Sequence, residues 1–191
     1  MIHKSAIVED AEIAEGTNIW HFVHVRKNAK IGKNCNIGKG VYIDTNVKIG
    51  HNCKIQNFAT LYDGLTVGDD VFIGPHVCFT NDVFPRAKIW SEDRLVKTII
   101  KDGASIGANS TIIAGITIGK YSMIGAGSVV TKDVPEYGLF VGNPAKLKGF
   151  ICECGKRLIE SSKNEDTVIF FCEECKKKIQ INKEYYMELD R

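Results

Sequence analysis

An apolar side chain returns every sixth residue through most of this chain, and no other feature restricts its fold so tightly. Steps of six from Ile7 reach Ile13, Ile19, Val25, Ile31, Ile37, Ile43, Ile49, Ile55, Leu61, Val67, Ile73 and Phe79. A second run in a new register reads Ile100, Ile106, Ile112, Ile118, Ile124 and Val130. On a helix of about 3.6 residues per turn these positions would scatter around the whole surface. A six-residue repeat instead marks a parallel β-helix. Three positions before the anchors stand Asn28, Asn34, Gly40, Asn46, Asn52, Gly64, Asp70, Gly103, Asn109, Gly115 and Gly127, residue types that tolerate left-handed turns. Small or β-branched residues such as Ala29, Cys35 and Ala104 stand two before, and Gly32, Gly38, Gly50, Gly68, Gly74, Gly107, Gly119 and Gly125 one after. Each hexad reads as a short strand and a turn, and three hexads as one triangular coil. Coils stack about 4.8 Å apart, with Ile7, Val25, Ile43, Leu61 and Phe79 forming one inward column. The predicted class is all-β, a parallel β-helix over residues 1–134 whose thin core no single coil could sustain.

The first register fails after Phe79, where Pro85, Ser91 and Lys97 stand at the next anchor positions. Residues 80–98 are therefore expected to leave the prism as a loop. Its opening, Thr80-Asn81-Asp82 and Phe84-Pro85-Arg86, is rich in groups that bind polar ligands, and long loops in compact domains are often functional. The repeat stops after Val130, and Pro135 and Pro144 mark residues 135–150 as an extended exit.

Residues 151–191 have a different character. Cys152 and Cys154 are followed, after seventeen residues, by Cys172 and Cys175. Two close cysteine pairs on a hairpin-length spacer are the pattern of a four-cysteine zinc ribbon, although the first pair has one residue between its cysteines where two is usual. A metal would fix a fragment too small for its own core. Eight basic and nine acidic residues in this module disfavour a nucleic-acid role. Tyr185, Tyr186, Met187 and Leu189 are expected to dock on the prism or on another subunit.

The formal net charge of +2 points to no nucleic-acid or membrane partner. The opening Met-Ile-His-Lys-Ser enters the repeat at once, which predicts no leader peptide and a cytoplasmic location. Cys35 and Cys53, one coil apart, read as buried thiols in a reducing compartment, and Cys78 as an inert thiol without an activating partner.

The hexads resemble the left-handed β-helix of the hexapeptide-repeat acyltransferases, and the expected handedness comes from that resemblance. The match narrows in Asn18-Ile-Trp-His-Phe-Val-His24, Gln56-Asn57, Leu61-Tyr-Asp-Gly64, Val71-Phe-Ile-Gly-Pro75, Phe79-Thr-Asn81, Pro85-Arg86, Gly125 to Pro135 and Gly142-Asn-Pro-Ala145. These segments are similar to the N-acetyltransferases of 3-amino sugars on nucleotide carriers, whose nearest members act on UDP-2-acetamido-3-amino-2,3-dideoxyglucuronate. The resemblance covers residues 2 to about 158. It implies an acetyl-CoA-dependent N-acetyltransferase of surface-polysaccharide biosynthesis, working as a homotrimer with each site between two subunits. Closed threefold symmetry suits a triangular prism.

The reaction needs a neutral amine held against a thioester carbon and a stabilised oxyanion, and the resemblance implies that no strong protein base is required. Asn81 is the expected orienting group, and His24 and His21 are candidate bases ahead of His51 and His76. Gln56, Asn57, Tyr62, Asp63 and Thr80 are expected to line the sugar-nucleotide groove. Arg86 would meet a carboxylate or diphosphate. Gly107, Ala126, Thr131, Lys132 and Lys146 are expected along the CoA path. The alternatives are a dTDP-3-amino-3,6-dideoxyhexose acceptor, O-acetylation, or a non-catalytic β-helix scaffold, for which the polar loop has no use. A zinc-dependent carbonic-anhydrase-like reading lacks its histidine cluster, since none follows His76.

Overall fold

The computed structural model describes residues 1–89 and 91–189; the last two residues of the 151–191 module lie outside the described residues. Two-residue strands recur through the prism and stack into three sheets of seven, six and eight strands, all parallel except for the last strand of the eight-stranded sheet. Successive rungs pair eighteen residues apart, as in Tyr42 with Thr60 and Ile43 with Leu61. The anchors Ile37, Ile43, Ile55, Leu61, Ile73, Ile106 and Ile112 are fully buried. The seven-stranded sheet carries Tyr42 and Tyr62 outward and is called here the tyrosine face. The eight-stranded sheet, with Trp20 and Phe72, is the tryptophan face, and the six-stranded sheet, with Lys30 and Lys48, the lysine face.

The corners explain the rest of the hexad. All eleven Asn, Asp and Gly residues expected at left-handed turns have positive φ. Phe22, Phe58, His76 and Tyr121 occupy the same slot with φ between 54° and 58° or at 61°, which the sequence pattern did not suggest. Stacking compensates the strain at several of them. The Phe58 ring covers Gly40, where an added Cβ would stand 2.5 Å from its edge, and Tyr121 covers Gly103 in the same way. His76 stacks on Phe58 at 5.2 Å. The glycine after each anchor lets adjacent coils approach: a Cβ on Gly107 would lie 2.5 Å from the Ala126 nitrogen.

Three details differ from the sequence expectation. Ile7 is exposed and pairs with His24, while Val8 pairs with Val25. The first turn, between Val8 and Glu12, is one residue shorter than its successor between Val25 and Lys30, so the inward column takes Val8. Thr98, expected within the loop, is already the buried first residue of the strand Thr98–Ile100. The prism also continues past Val130. Buried Val134 bridges to Ile118, and Phe140 pairs with Ile124. These rungs are sixteen rather than eighteen residues apart, which hides them from a search at six.

The segment expected as an extended exit is a β-hairpin, Gly138–Gly142 against Ala145–Phe150, laid on the end of the tryptophan face. Beyond it, Ile159–Lys163, Thr167–Phe171 and Lys178–Asn182 form an antiparallel sheet. A five-residue helix, Lys183–Met187, follows, with the Asn182 side chain capping Glu184 N–H. Phe150 of the prism end packs on Phe170 at 5.0 Å, so both parts share one apolar core. Among the described residues no helix is long and apolar enough to cross a membrane.

Candidate active site

The excursion leaves the prism between Phe79 and Thr98, and its neck is tied by the backbone and two threonines. The Val96 N–H donates to the Asn81 carbonyl at 3.0 Å. Thr80 Oγ1 accepts the Ala114 N–H at 2.9 Å, and Thr98 Oγ1 accepts that of Gly115 at 3.1 Å. Inside the loop, Arg94 pairs with Asp82 at 3.0 Å and also donates to the Phe84 carbonyl. The Arg94 guanidinium draws the Asp82 carboxyl below its ordinary range, and the Phe84 N–H assists. Arg94, absent from the sequence-derived site, is the clasp of the loop. Arg86 is exposed, and its side chain donates to the Pro85 carbonyl at 3.0 Å. The half-buried Asn81 carboxamide has no hydrogen-bond partner among the described residues.

A polar and aromatic strip runs along the tyrosine face toward this neck. His24 Nε2 meets Glu9 Oε1 at 2.9 Å, and Arg26 Nε lies 2.8 Å from the same oxygen. Arg26 also donates to the Tyr42 hydroxyl at 3.1 Å, which donates to Asp44 Oδ1 at 3.1 Å. The Tyr62 ring meets the Tyr42 ring edge-on at 5.9 Å. The hydrogen bond from His24 holds the Glu9 carboxyl below its usual range, helped by the Lys27 amide and Arg26. Burial raises the Tyr42 hydroxyl, so it stays protonated.

Sequence reading found His24 and Tyr62 in this strip and missed Glu9, Arg26, Tyr42 and Asp44. The signal was present: Arg26, Asp44, Tyr62 and Thr80 are spaced by eighteen, as are His24, Tyr42, Thr60 and Cys78. That spacing was applied to inward residues alone.

The other expected residues fall at distinct places. Gln56 and Asn57 stand at the corner where the chain enters the tyrosine face, and Tyr62 and Asp63 where it leaves. Asn57 Oδ1 accepts the Lys39 N–H at 2.9 Å, and Asp63 accepts from the Asn46 side chain at 3.1 Å. Both therefore also brace neighbouring coils. His21 stacks on His3 at 3.6 Å, away from the strip. His24 lies three rungs from Cys78 and the neck, about 14 Å at ordinary strand spacing. One chain thus does not bring His21, His24 and Asn81 together on a reacting atom. His51 accepts the Lys33 N–H as a corner brace. Cys35 and Cys53 are buried free thiols, and burial raises the half-buried Cys78 thiol, in keeping with an inert role.

The donor-side candidates all follow the excursion. Gly107 and Ala126 are stacked at the corner of the tryptophan and tyrosine faces. Thr131 ends the tyrosine face, Lys146 stands on the terminal hairpin opposite Val141, and Lys132 pairs with Glu188 at 2.8 Å. Asn81 thus stands between the acceptor-side candidates on earlier coils and the donor-side candidates on later ones. Apart from these residues, the Cys152, Cys154, Cys172 and Cys175 sulfurs lie within 4.8 Å of one another, a donor set that suits a tetrahedral thiolate metal.

The prism thus carries one clasped polar excursion beside an outward polar strip. Residues 2–45, 46–81 and 97–132 match the bacterial transferase hexapeptide family (six repeats), and the chain belongs to that family. It is 51% identical over 157 residues to the dTDP-3-amino-3,6-dideoxy-alpha-D-galactopyranose 3-N-acetyltransferase of Aneurinibacillus thermoaerophilus, covering 82% of this chain and 81% of that one. A hexapeptide transferase family protein from Anaplasma phagocytophilum superposes with a TM-score of 0.56 at 23% identity, over 78% of this chain and 80% of that one. A perosamine N-acetyltransferase from Caulobacter crescentus, solved with CoA and GDP-perosamine, gives a TM-score of 0.46 at 26% identity. That match covers 78% of this chain and about half, 55%, of the other.

Proposed function

We propose that this protein is an acetyl-CoA-dependent N-acetyltransferase of nucleotide-linked amino sugars, and that its acceptor is a 3-amino-3,6-dideoxyhexose on dTDP. The observation that carries the reading is the uncommitted Asn81 carboxamide, set at the neck of the excursion where the polar strip of the earlier coils ends and the later coils begin. The 51% identical relative, a transferase named for a dTDP-linked 3-amino sugar, supports the acceptor class. It also replaces the UDP-linked uronate that the sequence resemblance favoured. A 6-deoxy sugar has no carboxylate, so Arg86 is left for the diphosphate.

In this reading the sugar lies along the tyrosine face, with its nucleotide toward His24, Arg26 and Tyr42 and its 3-amino group at Asn81. The neutral amine attacks the thioester carbonyl carbon. The Asn81 amide holds the amine or the developing oxyanion. As the tetrahedral intermediate collapses, the carbon–sulfur bond breaks and CoA leaves as its thiol, taking up the proton the amine releases through solvent. A subunit trimer completes each groove. Exposed Trp20, Phe22, Phe58 and Phe72 on the tryptophan face and its edge supply apolar surface for it, and light scattering would measure the mass.

The test is thiol release from acetyl-CoA with a panel of amino sugars. The reading expects kcat/KM to be highest for dTDP-3-amino-3,6-dideoxyhexoses. A higher value for the UDP uronate would restore the first acceptor, and turnover with none, without CoA binding, would favour a scaffold.

A further inference from the structure

The C-terminal module lies beyond the stretch that matches the family, which ends at residue 132, and nothing in acetyl transfer calls for it. Its two cysteine pairs sit in knuckles of one design. The Cys152 N–H donates to the Lys156 carbonyl at 2.8 Å and the Cys172 N–H to the Lys177 carbonyl at 2.9 Å. The residue after the second cysteine of each pair turns left-handed, Gly155 at φ 83° and Lys176 at φ 57°. The shorter first pair is absorbed in the turn, which closes on the fourth residue after Cys152 but on the fifth after Cys172. Glu153 of one knuckle pairs with Lys177 of the other at 2.5 Å.

The sulfurs of Cys152 and Cys175 are 3.7 Å apart, those of Cys154 and Cys172 3.6 Å, and those of Cys172 and Cys175 3.7 Å. A zinc–sulfur bond of about 2.3 Å gives a tetrahedron with edges of about 3.8 Å. The first knuckle continues directly from the prism's last strand, Ala145–Phe150. The second starts the strand Lys178–Asn182, which leads into the helix Lys183–Met187 and so to Glu188 on Lys132. A helix of five residues has no stability of its own in water, so its place is set by that strand and by buried Tyr186, which packs on Phe170 and hydrogen-bonds with Lys163 and Glu160 of the same module. Between this arm and the last coils lies a cleft of about 790 Å³, walled by Lys132, Tyr137, Gln180 and Tyr185.

We propose that the four thiolates bind one zinc ion that acts as a clamp, locking the terminal strand and helix over the last coil and holding Glu188 on Lys132. The ion is structural and closed to substrate. Its link to catalysis rests on reading Lys132 as a donor-side residue, while the clamp itself does not depend on acetyl transfer.

Every readout of the test is made on the full chain without substrate, so failure of the acetyltransferase reading leaves it standing. Metal analysis of the purified chain should find one zinc per chain. Added Co²⁺, after zinc is removed under reducing conditions, should give thiolate charge-transfer and tetrahedral ligand-field bands. Cys154→Ser and Cys172→Ser should lose both signals, while Cys78→Ser keeps them. On chelation, amide exchange in residues 167–187 should rise about tenfold or more, with the coils from Val25 to Phe79 unchanged. Lys132 should become several-fold more reactive to an amine-acylating reagent. Iron in place of zinc, or a reduced chain that takes up neither zinc nor cobalt, would overturn the site. Zinc that leaves without changing exchange in 178–187 or Lys132 labelling would overturn the clamp.

Discussion

Asn81 stands at the neck of the excursion, just past the strand Cys78–Phe79, and among the described residues its amide has no hydrogen-bond partner where its neighbours are bound. Thr80 ties down the Ala114 N–H, Asp82 holds Arg94, and the Asn81 carbonyl accepts from Val96. Its backbone is therefore fixed while its side chain remains available, the arrangement that preorganised stabilisation of an oxyanion requires. Asn81→Ala is expected to lower kcat by roughly 10²–10³-fold, with a smaller change in KM and an unchanged thermal midpoint; steady-state kinetics and calorimetry check this. Glu9→Ala should act differently, raising KM for the nucleotide sugar several-fold at nearly constant kcat, because it loosens His24 and Arg26 far from the reacting atoms. The clasp has a pH signature. Asp82 is depressed in the folded chain, so its contribution is present above its unfolded value, about 3.9, and is lost as pH falls through the lower folded value. Asp82→Asn should therefore flatten the acid side of a plot of thermal midpoint against pH, and leave the profile above pH 5 parallel to wild type.

At the scale of the coil, each rung depends on two inward side chains and one close corner. Ile106 is fully buried in a column of like residues, and Ile106→Ala should cost about 2–5 kcal/mol by leaving a cavity that stacked neighbours cannot fill. Gly107→Ala should also destabilise, by about 1–3 kcal/mol, because the new Cβ meets backbone of the next coil 2.5 Å away. Denaturant melts measure both, and the second bears on Gly107's place among the CoA candidates, since the corner needs glycine whether or not CoA binds there. These elements were legible because inward anchors and turn residues obey a strict period, as Asn28, Asn46 and Asp70 illustrate. Phe58 and Tyr121 at left-handed turns were not, since their strain is compensated by rings and glycines on adjacent coils, which a linear sequence does not display. Val134 and Phe140 were hidden by a coil two residues short. The candidate site was legible only in part: His24, Tyr62 and Asn81 were named from the sequence, and their roles toward substrate are what the proposed experiments test. Arg94 was missed because its partner Asp82 lies twelve residues away within an aperiodic loop.

For the whole molecule, the excursion divides the prism into earlier coils, proposed to hold the acceptor, and later coils, proposed to hold the donor, and the C-terminal module adjoins the later coils. The insertion shifts strand pairing from eighteen residues to thirty-three at Asp69 and Asp102 without disturbing the sheets on either side. The prism therefore carries the loop as an addition to an otherwise continuous stack. Shortening it by deleting residues 84–93 should leave the folded core and its melting largely intact while abolishing acetyl transfer, as circular dichroism and thiol release would report together. The most direct measurement is a crystal structure of the chain with CoA and dTDP-3-amino-3,6-dideoxygalactose. The account predicts the sugar amine and the CoA sulfur converging beside the Asn81 carboxamide, with the nucleotide reaching toward Arg26 and Tyr42. A sugar seated on the lysine face, or an amine out of hydrogen-bond reach of Asn81, would contradict it.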